Sequence, residues 1–279
     1  MTYLRPSSLA EAVAHLARGP HVLLAGGTDL YPATQAARLD GPVIDLCALP
    51  DLGGIARGAD GGLRIGAGVT WAEIARADLP PALAGLQAAA RLVGGVQIQN
   101  AGTIGGNLCN ASPAADGVPP LLTLDAAVEL AGPGGRRRMA LADFLTGPRR
   151  TARRAAEILV AVHIPPGALH GRGAFVKLGA RAHLVISIAM VAARACVEGG
   201  RVRAAALAVG AASPVAVRLP SVEAALVGAP ESEAAGRIDP AAVAAALSPL
   251  DDHRASAAYR AGAAAELLRR AVAQALEDA

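Results

Sequence analysis

Two segments of this chain set a pair of adjacent glycines beside a hydroxyl residue, and they limit its possible folds more than any other feature. The first is Leu23-Leu24-Ala25-Gly26-Gly27-Thr28-Asp29-Leu30, in which a short apolar strand over His21–Ala25 runs straight into the glycines. The second is Asn100-Ala101-Gly102-Thr103-Ile104-Gly105-Gly106-Asn107, which leads into Cys109-Asn110-Ala111-Ser112-Pro113-Ala114-Ala115-Asp116. Glycine lets a backbone turn sharply and approach a ligand closely. Successive amides in such a turn form a nest for phosphate oxygens. Neither segment reads G-x-G-x-x-G or G-x-x-x-x-G-K-S/T, so neither is a Rossmann or phosphate-loop signature. Taken alone, Gly-Gly-Thr-Asp is equally a capped turn. Two such loops on opposite sides of one domain can clasp a pyrophosphate, and two nests suit the two phosphates of a dinucleotide.

The elements around these loops alternate at first. Ser7 or Ser8 caps a helix through Leu16, with Glu11 placed for a capping box. Pro42–Leu46 and Leu63–Val69 read as strands, Trp71–Ala77 and Pro80–Val93 as helices, and Gly94–Asn107 as a glycine-rich loop. Another apolar helix follows Pro119-Pro120. Ala126–Ala131 and Arg137–Leu141 pair across a Gly-Pro-Gly-Gly turn, and Ile158–Ile164 is a strand closed by Pro165-Pro166. Pro165–Gly173 is the expected linker. Beyond it the pattern changes to three consecutive strands, Ala174–Gly179, Val185–Glu198 and Arg201–Ala211, with Gly199-Gly200 as a hairpin turn. Helices over Ser221–Val227, Pro240–Leu247 and His253–Leu276 complete an α+β tail. Asp251-Asp252 is expected to cap the last helix.

Composition removes several function classes. The chain is 53% hydrophobic yet 2% aromatic, so its core must pack small residues at close range. A net charge of +3 with so few aromatics is poor material for nucleic-acid binding. Cys47, Cys109 and Cys196 lie far apart, which excludes a local zinc or iron–sulfur motif and a disulfide framework. The N-terminal segment lacks a signal-peptide core, and Leu184–Ala193, interrupted by Ser187, is too short to span a bilayer. A cytoplasmic setting is expected. His15, His21, His163, His170, His183 and His253 are scattered, none at metal-ligand spacing. Arg136-Arg137-Arg138 is expected to be solvated, whereas Arg149, Arg150, Arg153 and Arg154 are left open as a partner contact.

AGGTDL together with GTIGGNLCNASPAAD resembles the paired FAD signature of the medium, flavin-carrying subunit of molybdenum hydroxylases, a family that includes carbon monoxide and xanthine dehydrogenases. Further segments resemble the family in the expected order. These are Phe144–Thr151 (F-x-x-G-Y-R-x-T), Glu157-Ile158-Leu159 with Ile164-Pro165, and Phe175–Gly179 with Arg181 and Ile186–Ile188. Asp251–Ser256 with Tyr259-Arg260 resembles D-D-x-R-A-S…Y-R. Pro148 departs from the family's Tyr, and Gln99 and Ala101 from common arginines.

The resemblance implies a two-subdomain FAD-binding domain of the PCMH (vanillyl-alcohol-oxidase-like) type over residues 1–170, with subdomains of about 1–55 and 56–170. A C-terminal domain of three antiparallel strands and a helical bundle would occupy 171–279. It implies FAD contacts at Leu23, Leu24, Ala25, Gly26, Gly27, Thr28, Asp29 and Leu30, and at Thr103, Ile104, Gly105, Gly106 and Asn107. Asp116, Leu159 and Lys177 match further contact positions, and a positive charge at Lys177 near the flavin would raise its potential. The alternative for Lys177 is a solvated strand lysine. Thr28 stands where related folds attach flavin to a His, so non-covalent FAD is expected. The implied role is an electron relay. A large molybdenum-cofactor subunit and a small [2Fe-2S] subunit would hold the other centres in a dimer of heterotrimers. The rival readings are a self-sufficient FAD oxidase or dehydrogenase of the same fold, which would need a base and aromatic walls, and a redox-silent nucleotide-binding module.

Overall fold

The computed structural model describes residues 2–35 and 39–277. The chain opens with β1 (Tyr3–Leu4) and α1 (Leu9–Leu16). The Ser8 hydroxyl accepts the Glu11 amide at 3.2 Å, and the Glu11 carboxylate returns to the Ser7 amide at 2.8 Å. β2 (Val22–Leu24), α2 (Leu30–Ala33) and β3 (Val43–Asp45) follow. The three strands form a parallel sheet in the order β1-β3-β2, with β3 buried along its whole length.

A second sheet is antiparallel and five-stranded, in the order β4-β5-β10-β6-β7. β4 (Ile55–Arg57) and β5 (Leu63–Gly66) precede α3 (Trp71–Arg76), α4 (Ala84–Leu92), α5 (Val96–Ala101), α6 (Ile104–Asn110) and α7 (Val118–Thr123). The β6–β7 hairpin (Ala127–Gly132, Gly135–Ala140), α8 (Leu141–Phe144), a small ladder of β8 (Leu145–Gly147) and β9 (Arg150–Thr151), and the central β10 (Ile158–Ile164) complete it. The stretch 94–107, expected as a loop, instead holds α5 and most of the first turn of α6. Glycine content suggested loop; an N-cap at Thr103 and close packing of Gly105 on Ala67 made a helix the better solution.

The C-terminal sheet runs β11 (Arg172–Leu178), β12 (Ala189–Glu198), β13 (Arg201–Gly210) and β14 (Val217–Arg218), antiparallel throughout. The three-strand expectation missed β14, two residues long and anchored by Arg218 on Glu223 and Asp125. β12 begins at Ala189 rather than Val185, because Ser187 turns inward to a partner described below. α9 (Pro220–Leu226), α10 (Glu231–Ala234) and α12 (Ala257–Leu276) cover this sheet, and α11 (Pro240–Ala245) packs on α12 and α9. Ser256, not Asp251 or Asp252, is the N-cap of α12. Asp251 accepts the Ala257 amide at 2.7 Å, and Asp252 is taken up by Arg254 and Arg260, each at 2.6 Å.

Small residues set the packing distances. α4 meets β11 through Gly85 and Gly173, and a Cβ on Gly85 would lie 2.8 Å from the Ala174 carbonyl oxygen. One apolar cluster gathers residues between Leu9 and Leu169 together with Ala208 of β13, and a second gathers residues between Ala174 and Ala275. The Arg136–Arg138 run is paired rather than simply solvated. Arg136 meets Glu129 at 2.7 Å, and Arg137 grips both oxygens of Glu157 at 2.7 and 2.8 Å. Among the described residues no helix is long and apolar enough to cross a membrane, and no cluster of His, Cys, Asp and Glu could hold a metal ion.

Candidate functional site

The first glycine segment leaves the edge of the parallel sheet at Leu24 and turns into α2. Gly27 takes φ +69°, a left-handed value that favours glycine, and the Tyr31 ring lies against it. Carbonyls in this turn are used: Tyr31 donates to Gly27 at 3.0 Å and Ala33 to Asp29 at 3.1 Å. The Cys47 thiol donates to Ala25 at 3.3 Å. The amides are not used. Among the described residues, the N–H groups of Ala25, Gly26, Gly27, Thr28, Asp29 and Leu30 donate to no protein acceptor. All of these residues but the exposed Asp29 are half-buried, so the run of free donors is open to a ligand or water.

Behind this turn, Asp45 accepts from the Tyr3 hydroxyl and from the Cys47 amide. Burial alone would raise its carboxyl, but these bonds carry it below the usual range. Burial, reinforced by Asp45, pushes the Cys47 thiol up to about 11, so it stays protonated near neutrality.

The second segment is built the other way. Its amides are committed: Ile104 donates to Val69 at 2.9 Å, Gly105 to Ala67 at 2.8 Å, and Asn107 to Thr103 at 3.0 Å. Gly106 donates to the Thr103 hydroxyl at 3.0 Å. A Cβ on Gly105 would lie 2.6 Å from the Ala67 Cβ, so this glycine serves close packing. The expected second nest is therefore a helix start, and what it presents is side chains. The Asn107 Oδ1 atom is buried and has no hydrogen-bond partner. An acceptor left in that state awaits a donor.

The two segments are in contact. A Cβ on Gly26 would collide with the Ala101 carbonyl, and one on Gly102 would lie 3.3 Å from the Thr28 hydroxyl. Trp71, the single tryptophan of the chain, lies buried behind them against Gly102 and Gly117, and a Cβ on Gly117 would also meet Asn107 Oδ1 at 3.2 Å.

Of the outlying positions, Asp116 and Lys177 meet each other. The Lys177 ammonium sits 2.6 Å from Asp116, with both side chains at least nine-tenths buried. Lys177 is thus no solvated strand lysine, nor a lone charge. Burial raises the Asp116 carboxyl, and Lys177 and the Ser187 hydroxyl oppose that rise. Leu159 is buried in the sheet core on β10, opposite Leu130. It shares an apolar cluster with Ile104, and its neighbour Val160 is linked to the second segment through the backbone: Ala67 donates to Val160 at 2.8 Å, and Gly105 donates to Ala67 at 2.8 Å. Leu23 packs on the main core, and Leu24 joins a small cluster with Leu39 and Val43. Sequence reasoning missed Trp71, Gly102, Gly117 and Ser187 as neighbours of the site. For Ser187 a signal existed, as the one polar residue within an apolar run.

The free amides around Gly26 and the orphaned Asn107 oxygen belong to the two segments that meet at Gly26–Ala101 and Thr28–Gly102, so this cradle offers donors from one segment and an acceptor from the other. That set fits a phosphate-bearing nucleotide cofactor.

Comparison with known proteins points the same way. Residues 1–167 match the FAD binding domain in molybdopterin dehydrogenase, and residues 174–275 match the CO dehydrogenase flavoprotein C-terminal domain. A putative xanthine dehydrogenase FAD-binding subunit of Escherichia coli is 36% identical over 229 residues, 80% of this chain and 77% of that protein. The carbon monoxide dehydrogenase medium chain of Afipia carboxidovorans is 35% identical over 283 residues, 98% of this chain and 96% of that one. In structure, a chain of reconstituted CO dehydrogenase from Oligotropha carboxidovorans superposes with a TM-score of 0.90 at 32% identity, covering 100% of this chain and 98% of its own.

Proposed function

This chain belongs to the family of FAD-carrying medium subunits of molybdenum hydroxylases, and from that premise we propose that it is the electron-transfer flavoprotein of such a complex. It takes electrons from iron–sulfur clusters on a small partner subunit and delivers them to an external acceptor. The molybdenum cofactor sits on a large partner subunit, and the assembly is a dimer of heterotrimers in the cytoplasm. The chain divides near residue 170. Its first part, with subdomains of about 1–55 and 56–170, is of the PCMH type, and 171–279 is the C-terminal domain.

The observation that carries this reading is the row of uncommitted amides from Ala25 to Leu30 where the first segment meets the second. These amides would hold the FAD diphosphate non-covalently, with the hydroxyls of Thr28 and Thr103 and the Asn107 side chain as further partners. Leu23, Leu24 and Ile104 would supply apolar support, Gly105 and Gly106 the close-packed helix start that seats Thr103 and Asn107 beside the cofactor, and Asp116, Leu159 and Lys177 the deeper contacts. Bound FAD supplies the ability to accept single electrons and release a pair. The chain's own contribution is to bind it, to exclude water with small close-packed residues, and to set the charge around it through Asp116 and Lys177.

The test is direct. The full chain, produced with its partner subunits, should be yellow and release FAD on heat denaturation. FAD titrated into the full apo chain should quench the fluorescence of Trp71, which lies directly behind the cradle. A colourless complex with unquenched Trp71 rejects the assignment.

A further inference from the structure

Asp116 is held entirely from the other side of the molecule. It lies in the connection from α6 to α7, yet its Oδ2 accepts from Lys177 on β11 at 2.6 Å, and its Oδ1 accepts from the Ser187 hydroxyl at 2.6 Å. Ser187 is completely buried, and no other donor to Asp116 exists among the described residues. Lys177 and Ser187 stand at the two ends of the loop that joins β11 to β12. One carboxylate therefore fastens both ends of that loop.

The loop is fixed in other ways as well. Ile188 donates to Leu178 at 2.8 Å across its base. From α12, the fully buried Arg260 donates to the Ile188 carbonyl at 2.6 Å and to the Ala211 carbonyl at 2.9 Å. Ala211 in turn donates to Pro113 at 3.0 Å, three residues before Asp116. At the tip, Arg181 donates to the His183 and Leu184 carbonyls, and Leu184 holds a left-handed φ of +53°. The Leu184 side chain lies 3.0 Å from where a Gly95 Cβ would stand, at the start of α5. The far end of α5, Ala101, is the residue that touches Gly26. The loop is thus seated beside the cradle.

We infer that Ser187 is a positioning residue for the cofactor site: by holding the second oxygen of Asp116 it keeps that group ionised against Lys177, and so fixes both the loop and the net charge beside the cradle. A short O–H···O⁻ bond to a buried carboxylate favours the charged form. With it, the Asp116–Lys177 pair carries no net charge. Without it, burial favours the neutral acid, and the Lys177 charge is left uncompensated. An uncompensated cation beside a flavin stabilises its reduced form and raises its potential.

The inference rests on the flavoprotein reading, and its test separates the two. In the full complex, S187A removes the hydroxyl, S187C keeps the volume with a poor donor, and D116N abolishes the charge. FAD affinity of the deflavo complex and the flavin midpoint potential are measured for each. S187A and S187C should both weaken FAD binding about tenfold, the scale of losing a hydrogen bond to a charged group, and both should move the potential upward, in the direction of D116N. If both variants match the parent in affinity and potential while D116N does not, Ser187 has no positioning role. A lowered melting temperature with unchanged affinity and potential also overturns the inference, since that is packing only. Should the parent complex itself bind no FAD, the flavoprotein reading fails.

Discussion

The two double-glycine segments look interchangeable as sequence and do opposite work as structure. Gly26-Gly27 sit in a turn whose amides are all free, one glycine pressed against a neighbouring backbone and the other in a left-handed conformation. Gly105-Gly106 sit in the first turn of a helix whose amides are all bonded, and their lack of side chains lets that helix abut Ala67. The lesson is that adjacent glycines record a need for space, and what fills the space is decided by where the backbone hydrogen bonds go. At the first segment the amides are left free, and in the proposed reading a ligand takes them; at the second the space is filled by the protein itself, by Ala67.

The contrast can be broken most forcefully at Gly26. In G26A the new methyl meets the Ala101 backbone, which cannot yield like a side chain, so a destabilisation of about 3 kcal/mol or more is expected. Flavin content of the purified complex should fall to near zero, and chemical denaturation should report the stability loss.

On the opposite wall, K177M should cost about 3 kcal/mol at pH 8, because it strands a buried carboxylate. The sign of its pH dependence follows from linkage. Burial raises Asp116 in the folded protein, and losing Lys177 raises it further, so the folded state holds this proton more tightly than the unfolded chain. Stability is then lost as pH rises above the unfolded carboxylate range. Urea unfolding at pH 5 and pH 8 should show the smaller deficit relative to the parent at pH 5.

G105A separates packing from binding. Its methyl would crowd Ala67, at a cost of about 2 kcal/mol in thermal unfolding. The folded fraction should still retain FAD, unlike G26A. Equal flavin loss in both variants would erase the distinction between the segments.

T103A removes the cap that holds the Gly106 amide and should cost about 1 kcal/mol. G106A is the mildest change. Its only near neighbour is the Thr103 hydroxyl at 3.0 Å, and alanine favours helix over glycine, so apoprotein stability should change by less than about 1 kcal/mol. A large loss from G106A would mean that this segment is a nest after all. Circular dichroism melts of the two apo variants decide it.

Much of the architecture could be read from the chain. The hairpin turn at Gly199-Gly200 lies between β12 and β13, with φ of +58° and +72°. The cap at Ser8 with Glu11, the paired strands around Gly132–Gly135 and the long last helix also stand where local chemistry put them. Failures occurred where a local signal had two solutions. Glycines at 94–107 permitted a loop or a close-packed helix. Asp251 and Asp252 offered themselves as caps, but guanidinium groups of Arg254 and Arg260 claimed Asp252, leaving the cap to Ser256. The arginines at 136–138 appeared solvated because their acidic partners, Glu129 and Glu157, are brought to them by strand pairing and by a return of the chain after β9.

What the sequence determined by itself is what is set within a few residues: which stretches turn, many of the caps, where apolar faces alternate, and that two glycine-rich segments need space at their backbones. What only the tertiary structure decided is the partnership of distant groups, namely Gly26 with Ala101, Trp71 with Gly117, and Asp116 with Lys177 and Ser187. The physical reason is that backbone preferences act over neighbouring residues, whereas desolvation and ion pairing depend on which chains fold to the same place. Burial turned one lysine from a surface charge into half of a neutral pair, and no local pattern around it carries that information.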